Sequence, residues 1–133
     1  MIVYVAGSSK QLDRVRNAME ALRELGHTVA HDWVSIVEAV GSAHPDDDSG
    51  RARFAKADLA AVAQADMLWL LYQEESVGAF WEAGYAQGRG IPVVVSGACE
   101  GNIFVANCDW NYDRDDQCLL CEFSNGGPDG SED

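Results

Sequence analysis

Residues 67–96 of the chain read MLWLLYQEESVGAFWEAGYAQGRGIPVVVS, and this stretch decides the fold. Residues 67–72 and 91–96 are continuous apolar runs of strand length, and residues 79–89 between them predict a helix. Strands joined in this way lie parallel in one sheet, and ligands bind beside their carboxyl ends. The helix carries Glu82 in its first turns. It follows a turn at Ser76 and Gly78, whose free N–H groups can receive an anion.

The same alternation of strand and helix runs through the rest of the chain. Further strands are predicted at residues 2–6, 28–33 and 102–107, and further helices at residues 12–25, 34–40 and 51–65. The helix at residues 12–25 has apolar residues at three- and four-residue steps, and Gly26 follows it as a C-terminal stop. This order predicts a parallel sheet covered by helices on right-handed crossovers.

Length and charge restrict the class of protein. The 133 residues suffice for one α/β domain, expected at residues 1–110, with an acidic, cysteine-containing segment at residues 111–133 whose end is expected to be disordered. The formal net charge of −13 argues against nucleic-acid polymers and anionic membranes as partners. No apolar run approaches the roughly 20 residues of a membrane span. Because no basic leader follows Met1, a cytoplasmic location is predicted.

The metal-binding residue types do not form a convincing site. Cys118 and Cys121 have a spacing that suits zinc, but their intervals to the other two cysteines, Cys99 and Cys108, are irregular. Free thiols are therefore expected, with no metal and no cofactor. His27 precedes the second predicted strand and His31 lies within it, and neither has a second ligand at metal spacing, which favours structural or surface roles.

Three further positions have both an ordinary and a functional interpretation. Gly7 and Ser8 follow the first strand, where they can cradle a phosphate or a sugar, or simply start the next helix. Tyr4 lies in that strand and is either a core residue or a hydrogen-bond donor to a buried partner. Asp58 borders the inner face of the helix at residues 51–65, so it either faces solvent or is directed toward the strand ends.

Three separated motifs resemble the nucleoside 2-deoxyribosyltransferase-like superfamily, and most closely its branch of 2'-deoxynucleoside 5'-monophosphate N-glycosidases. The resemblance extends in order and spacing over residues 2–96. Its motifs are VYVAGS at residues 3–8, DLAAVAQAD at residues 58–66, and Ser76-x-Gly78-x-x-x-Glu82-x-Gly84-Tyr85-Ala86. Together with the alternation of elements, it implies a flavodoxin-like, doubly wound, five-stranded parallel sheet in a three-layer α/β/α arrangement. The site is then expected between the first and third strands.

The resemblance also implies a role for each matching residue. Glu82 matches the nucleophile that attacks C1' of the deoxyribose, and Asp58 matches the acid/base that handles the proton of the leaving base. Tyr4 matches the tyrosine that orients the nucleophile. The positions implied to bind substrate are the strand-end residues Gly7 and Ser8, the 5'-end turn of Ser76 and Gly78, and Trp33 as a stacking partner of the base.

Ser76 favours a nucleotide substrate, because an acidic residue tends to stand there in the branch that transfers nucleosides. The monophosphate branch tends to have an arginine after the Gly-Ser pair, so Lys10 or Arg14 would have to replace that contact here. Phe80 and Trp81 are further candidates to stack on the base. A helix that carries Phe80, Trp81 and Tyr85 needs burial, which predicts that at least one of these aromatics packs between subunits of a dimer or higher homo-oligomer.

The expected activity is cleavage of the N-glycosidic bond of a small-molecule 2'-deoxynucleotide or deoxynucleoside, by hydrolysis or by transfer to another base. A carboxylate suits this chemistry because it stabilises an oxocarbenium-like state and then traps it covalently. Two alternatives are a TIR-like NAD glycohydrolase and a nucleotide sensor that binds without cleaving. Tyr4 and Asp58 argue against the first, and the complete trio with Glu82 argues against the second.

Overall fold

The computed structural model describes residues 1–41, 47–97 and 102–124. Its centre is a five-stranded sheet in which every strand pair is parallel and the strand order is β2-β1-β3-β4-β5. This is the flavodoxin-like order, in which the chain changes direction across the sheet between β1 and β3. The strands are β1 (Ile2–Ala6), β2 (Thr28–Val29), β3 (Met67–Leu71), β4 (Val93–Ser96) and β5 (Trp110–Tyr112).

Helices cover both faces of the sheet, which confirms the three-layer α/β/α arrangement. The α-helices are α1 (Leu12–Glu24), α2 (Trp33–Val40), α3 (Asp48–Gln64), α4 (Val77–Gly88) and α5 (Asp115–Cys118). Short 3-10 turns lie at Ser9–Gln11 and Val105–Asn107, and a π-helical turn lies at Leu119–Phe123. The first helix and the first, third and fourth strands therefore lie within a residue or two of their predicted positions.

The alternation of side chains along the strands divides the core into two layers. Val3 and Val5 of β1 pack with α1 and with the C-terminal turn that ends in Phe123. Tyr4 and Ala6 face the opposite side, where they pack with residues of α3 and α4. Successive strand residues point to opposite faces, so the position of Tyr4 in β1 places its ring on the side of α3 and α4.

Two strand predictions are wrong. The fifth strand is not at residues 102–107, because Asn102 Oδ1 accepts hydrogen bonds from the backbone N–H groups of Phe104 and Val105 and turns the chain into a 3-10 helix. The fifth strand is β5, beside β4. The second strand ends at Val29 rather than at residue 33, and the backbone at His31 has a positive φ of 56°.

The C-terminal residues that the structure describes pack on the same core. Cys118 and Phe123 are buried against the α1 side of the sheet. Arg14 on α1 holds Asp115 through two hydrogen bonds of 2.7 and 2.9 Å. The boundary predicted near residue 110 remains a prediction, and the disorder expected at residues 125–133 lies outside the described residues.

Three cysteines in the described part, Cys108, Cys118 and Cys121, are free thiols, and Cys99 lies outside it. Burial is the main cause that raises the pKa of the Cys118 thiol, so this cysteine is held in its protonated, unreactive form. Within residues 1–41, 47–97 and 102–124, no group of three or more metal-binding side chains comes together. None of the helices in these ranges is long and apolar enough to cross a membrane.

Candidate active site

A cavity of about 370 Å³ opens at the carboxyl ends of β1 and β3, on the side of α3 and α4. Its position is the crevice expected of a doubly wound sheet. The residues that the sequence predicts for the site come from four separate segments of the chain. Eight of them line the cavity: Tyr4, Gly7, Ser8, Trp33, Asp58, Ser76, Gly78 and Glu82.

Tyr4 and Glu82 form the first contact at the base of the cavity. The Tyr4 hydroxyl donates a hydrogen bond of 3.0 Å to Glu82 Oε2. Tyr4 is 1% exposed, so its ring is fixed by the core while its hydroxyl finds a partner in the cavity. Burial and the nearby carboxyls of Glu82 and Asp58 raise the pKa of Tyr4, and the hydroxyl therefore stays a donor at any physiological pH.

Glu82 and Asp58 bring two carboxyl groups into hydrogen-bond contact. Burial, followed by the negative charge of Asp58 and the hydrogen bond to it, raises the pKa of Glu82 to about 8, while the Tyr4 hydroxyl acts in the opposite direction. Burial also raises the pKa of Asp58, against the influence of Glu82 and of His31. Near neutral pH the pair therefore holds one proton, which belongs to both groups rather than to either alone.

Beside the carboxyl pair, His31 is a residue that sequence reasoning missed. Its Nε2 lies 3.4 Å from Asp58 Oδ1, and both side chains are about three-quarters buried. The chain reaches this position through a left-handed backbone conformation just after β2. The predicted elements held no signal for it, because His31 falls inside the strand predicted at residues 28–33, whereas β2 ends at Val29.

The turn before α4 and the turn after β1 form one wall of the cavity. Ser76 is 5% exposed, and its hydroxyl donates to Gln73 Oε1 at 3.2 Å. Gly78 lies in the first turn of α4, where backbone N–H groups have no partner within the helix. Ser8 accepts a hydrogen bond of 3.1 Å from the backbone N–H of Lys10 and so starts the 3-10 turn.

Of the two bases expected near this wall, only Lys10 lies at the cavity. Its Nζ is 3.5 Å from Glu75 Oε1, and Glu75 also lines the cavity. Arg14 instead binds Asp115 and donates to the backbone carbonyls of Tyr72 and Ser96, at 2.8 and 3.2 Å. Its guanidinium is occupied in the α1 layer, so it does not substitute for the missing arginine.

The family of the chain follows from a match over most of its length. The family model described as nucleoside 2-deoxyribosyltransferase matches residues 3–115. The chain belongs to the nucleoside 2-deoxyribosyltransferase family. It is thus an enzyme of the deoxyribosyltransferase and N-glycosidase type that acts on small-molecule nucleosides or nucleotides.

Solved structures with the same fold accompany this family match. A 2-deoxyribosyltransferase from the psychrotolerant bacterium Bacillus psychrosaccharolyticus has a TM-score of 0.75 and 21% identity, covering 93% of this chain and 94% of its own. The CMP N-glycosidase BcmB of Clostridium botulinum has a TM-score of 0.57 and 16% identity, covering 90% and 96%. At these identities the likeness concerns the fold. No curated protein matches the sequence.

In this member of the deoxyribosyltransferase family, large apolar side chains also line the cavity. Trp33 donates its indole N–H to the Val5 carbonyl at 2.9 Å, which fixes the ring, and Phe54 and Ile36 also line the cavity. The other aromatics predicted to stack on a base are not among the described lining residues. Phe80 packs against Tyr72 at 5.6 Å between ring centroids, and Trp81 is 72% exposed.

Proposed function

We propose that this enzyme cleaves the N-glycosidic bond of 2'-deoxynucleoside 5'-monophosphates through a covalent deoxyribosyl-Glu82 intermediate. The sugar then passes to water or to another base. One observation carries the proposal: a buried tyrosine and two carboxyls in contact, Tyr4, Glu82 and Asp58, at the base of a cavity that can hold a nucleotide.

In the first step, a Glu82 oxygen forms a bond to C1' while the bond from C1' to the base nitrogen breaks. Asp58 delivers the proton of the carboxyl pair to the departing base, which leaves as a neutral molecule. Glu82 must carry the negative charge at this moment, and the hydrogen bond from the Tyr4 hydroxyl favours that form. In the second step, Asp58 takes a proton from water or an acceptor base, whose attack on C1' releases Glu82.

The nucleotide assignment is supported by the turns before α4 and after β1, which line the cavity. A 5'-phosphate there would contact the first turn of α4 at Gly78 and the Lys10 ammonium. The Ser76 hydroxyl could also donate to the phosphate once it rotates away from Gln73. The two structural neighbours are named for a 2-deoxyribosyl group and for a nucleoside monophosphate. The apolar side chains of Trp33, Phe54 and Ile36 would receive the base.

The test is a substrate panel. The protein is incubated with dNMPs, their deoxynucleosides, CMP and NAD, with and without an acceptor base, and the released base is followed by chromatography. Release from dNMPs that is lost in Glu82→Gln supports the proposal, and an exchanged base in the presence of acceptor identifies transfer. Release of nicotinamide from NAD alone would contradict the proposal. Binding of dNMPs without release of the base would indicate a nucleotide sensor.

The covalent intermediate needs its own measurement. Acid-quenched wild-type protein is expected to show, by intact-protein mass spectrometry, the added mass of one deoxyribose 5-phosphate. Peptide mapping is expected to place it on Glu82, with no adduct in Glu82→Gln. An active enzyme that never carries the adduct under rapid quench would point to direct attack by water instead.

The proposal extends to the assembly, because α4 presents an outer face without charge. Its exposed residues are Val77, Gly78, Trp81, Gly84 and Gly88. Val77 and Trp81 are 73% and 72% exposed, and a helix face with glycines lets another backbone approach closely. Val77 and Gly78 also line the cavity, so a second copy packed on this face would reach the rim of the site. A homodimer through α4 is the assembly that this face favours.

A further inference from the structure

The charges on the cavity wall include one acid that the proposed chemistry does not use. Asp58 and Glu82 form the reacting pair, whereas Glu75 lies in the loop before α4, beside the position proposed for the phosphate. A carboxylate there repels a phosphate dianion. Glu75 therefore weakens binding of the proposed substrate, which suggests that this carboxylate has a specific function.

The only ion pair of Glu75 recorded in the described part of the chain joins it to Lys10. The contact measures 3.5 Å from Lys10 Nζ to Glu75 Oε1, and the side chains are 76% and 70% exposed. Exposed ion pairs contribute little to stability, so a ligand with a stronger charge can displace the carboxylate. Lys10 is also the only lysine or arginine among the described residues that line the cavity.

The two residues come from different loops at the strand ends and both line the cavity. Lys10 lies in the turn after β1, where its backbone N–H donates to Ser8 Oγ. Glu75 lies in the loop after β3, and its backbone N–H donates to Gln73 Oε1, the same oxygen that receives the Ser76 hydroxyl. The pair therefore joins the turn after β1 to the loop after β3, at the switch point between these strands.

We propose that Glu75 is a selectivity residue that competes with the 5'-phosphate of the substrate for Lys10. A monophosphate displaces the Glu75 carboxylate and takes the ammonium, whereas a deoxynucleoside has no group that can break the pair. Glu75 thus weakens the binding of every 5'-phosphorylated ligand, including the sugar phosphate released by hydrolysis. The proposal rests on the monophosphate activity proposed above, but its binding test does not depend on turnover.

The decisive variant is Glu75→Gln, with Glu74→Gln as its matched control. Glu74 is the adjacent glutamate, exposed and absent from the described cavity lining. Glu75→Gln is expected to lower KM for a dNMP about fivefold, which raises the ratio of kcat/KM for the dNMP to that for its deoxynucleoside by the same factor. The gain should shrink in high salt because exposed charges are screened. An equal change in Glu74→Gln, or equal changes for both substrates, would overturn the proposal.

Competition for Lys10 is separated from simple repulsion by a second variant. In a Lys10→Gln background, Glu75→Gln is expected to lose most of its benefit, since no ammonium remains to be released. A benefit of undiminished size in that background would contradict competition.

Binding of 2-deoxyribose 5-phosphate, measured by calorimetry, separates this inference from the proposed function. Tighter binding to Glu75→Gln than to wild type supports the inference even if the wild type cleaves only deoxynucleosides. Cleavage of deoxynucleosides only would contradict the proposed dNMP substrate but not the competition for Lys10. Unchanged binding overturns the inference even if the wild type cleaves dNMPs.

Discussion

Glu82 is a carboxyl group whose ionised form is disfavoured by its burial in the fold. Burial and the proximity of Asp58 raise the pKa of Glu82 to about 8, so the folded protein binds a proton here that the unfolded chain releases near pH 4.5. Stability falls as pH rises wherever the folded state holds more protons than the unfolded state. The free energy of unfolding that is lost by burying Glu82 is therefore zero below the pKa of the unfolded chain. The loss grows as pH rises toward 8 and is constant above that value.

The variant Glu82→Gln removes this cost and should stabilise the protein while it abolishes turnover. We expect a gain in the free energy of unfolding on the order of 3 kcal/mol at pH 8 and close to none at pH 4, measured by urea denaturation at both values. Glu20→Gln, at an exposed position on α1, is the control and should show no such pH dependence. A lower free energy of unfolding for Glu82→Gln than for wild type at pH 8 would contradict this, because it would show that the buried Glu82 carboxyl does not destabilise the fold.

The carboxyl pair also predicts the pH dependence of activity. The proposed reaction needs one proton on the pair, so kcat/KM should fall in acid, where both groups are protonated, and again above about pH 8, where the shared proton is lost. A rate that stays constant from pH 5 to pH 10 would mean that the pair does not hold the reacting proton.

Tyr4→Phe tests the hydroxyl that favours the charged form of Glu82. Loss of a hydrogen bond to a charged group predicts a fall in kcat of roughly 10- to 100-fold. Because the Tyr4 hydroxyl lowers the pKa of Glu82, its removal should also move the whole pH profile to higher pH. A fall in kcat with an unchanged pH profile would mean that Tyr4 acts only by packing. Thermal denaturation of the variant checks that the core is intact.

At the scale of elements, continuous apolar runs predicted the central strands correctly because these strands are buried on both faces. The fifth strand could not be found in this way. An apolar run at Ile103, Phe104 and Val105 resembles a strand, but the Asn102 side chain bonds the following N–H groups and makes a helical turn instead. The partly exposed β5, Trp110–Tyr112, has no comparable apolar run and depends on pairing with β4.

The resemblance of three separated motifs was the basis for expecting Tyr4, Asp58 and Glu82 together, because the residues alone left the roles of Tyr4 and Asp58 open. Once Tyr4 is assigned to the face of α3 and α4, the helix that carries Asp58 and the helix that carries Glu82 must meet it there. His31 was not predictable from its neighbours, because its place depends on the early end of β2 and on a backbone turn with positive φ.

Close contact between β1 and α1 depends on Gly7. A Cβ at this position would lie 2.8 Å from Val15 Cγ2 and 3.6 Å from Leu71 Cβ, too close to a short branched side chain of α1. Gly7→Ala is therefore expected to destabilise the protein by about 1–3 kcal/mol in chemical denaturation. The control is the double variant with Val15→Ala, which removes the clashing methyl groups. It should cost less than the sum of the two single changes, whereas strict additivity would place the strain elsewhere.

At the scale of the whole molecule, the net charge of −13 opposes association of two copies, except where a surface lacks charge. The outer face of α4 is such a surface, since Glu82 is the only charged residue of that helix and it points into the cavity. Trp81 lies at the centre of this face with most of its ring exposed. Buried tryptophans dominate the binding energy of protein interfaces, so Trp81 should be the residue on which a dimer depends.

Trp81→Glu should therefore convert a dimer into a monomer. A carboxylate facing its symmetry mate is unpaired when buried, and we expect the dissociation constant to rise roughly 30-fold or more, measured by sedimentation over a range of concentrations. Leu120→Glu is the matched control, because Leu120 is 68% exposed on the C-terminal turn and outside this face. If the second copy closes the rim formed by Val77 and Gly78, activity should fall as Trp81→Glu is diluted. A wild-type protein that sediments as a monomer at every concentration would contradict the dimer, and loss of the dimer in Leu120→Glu would move the interface away from α4.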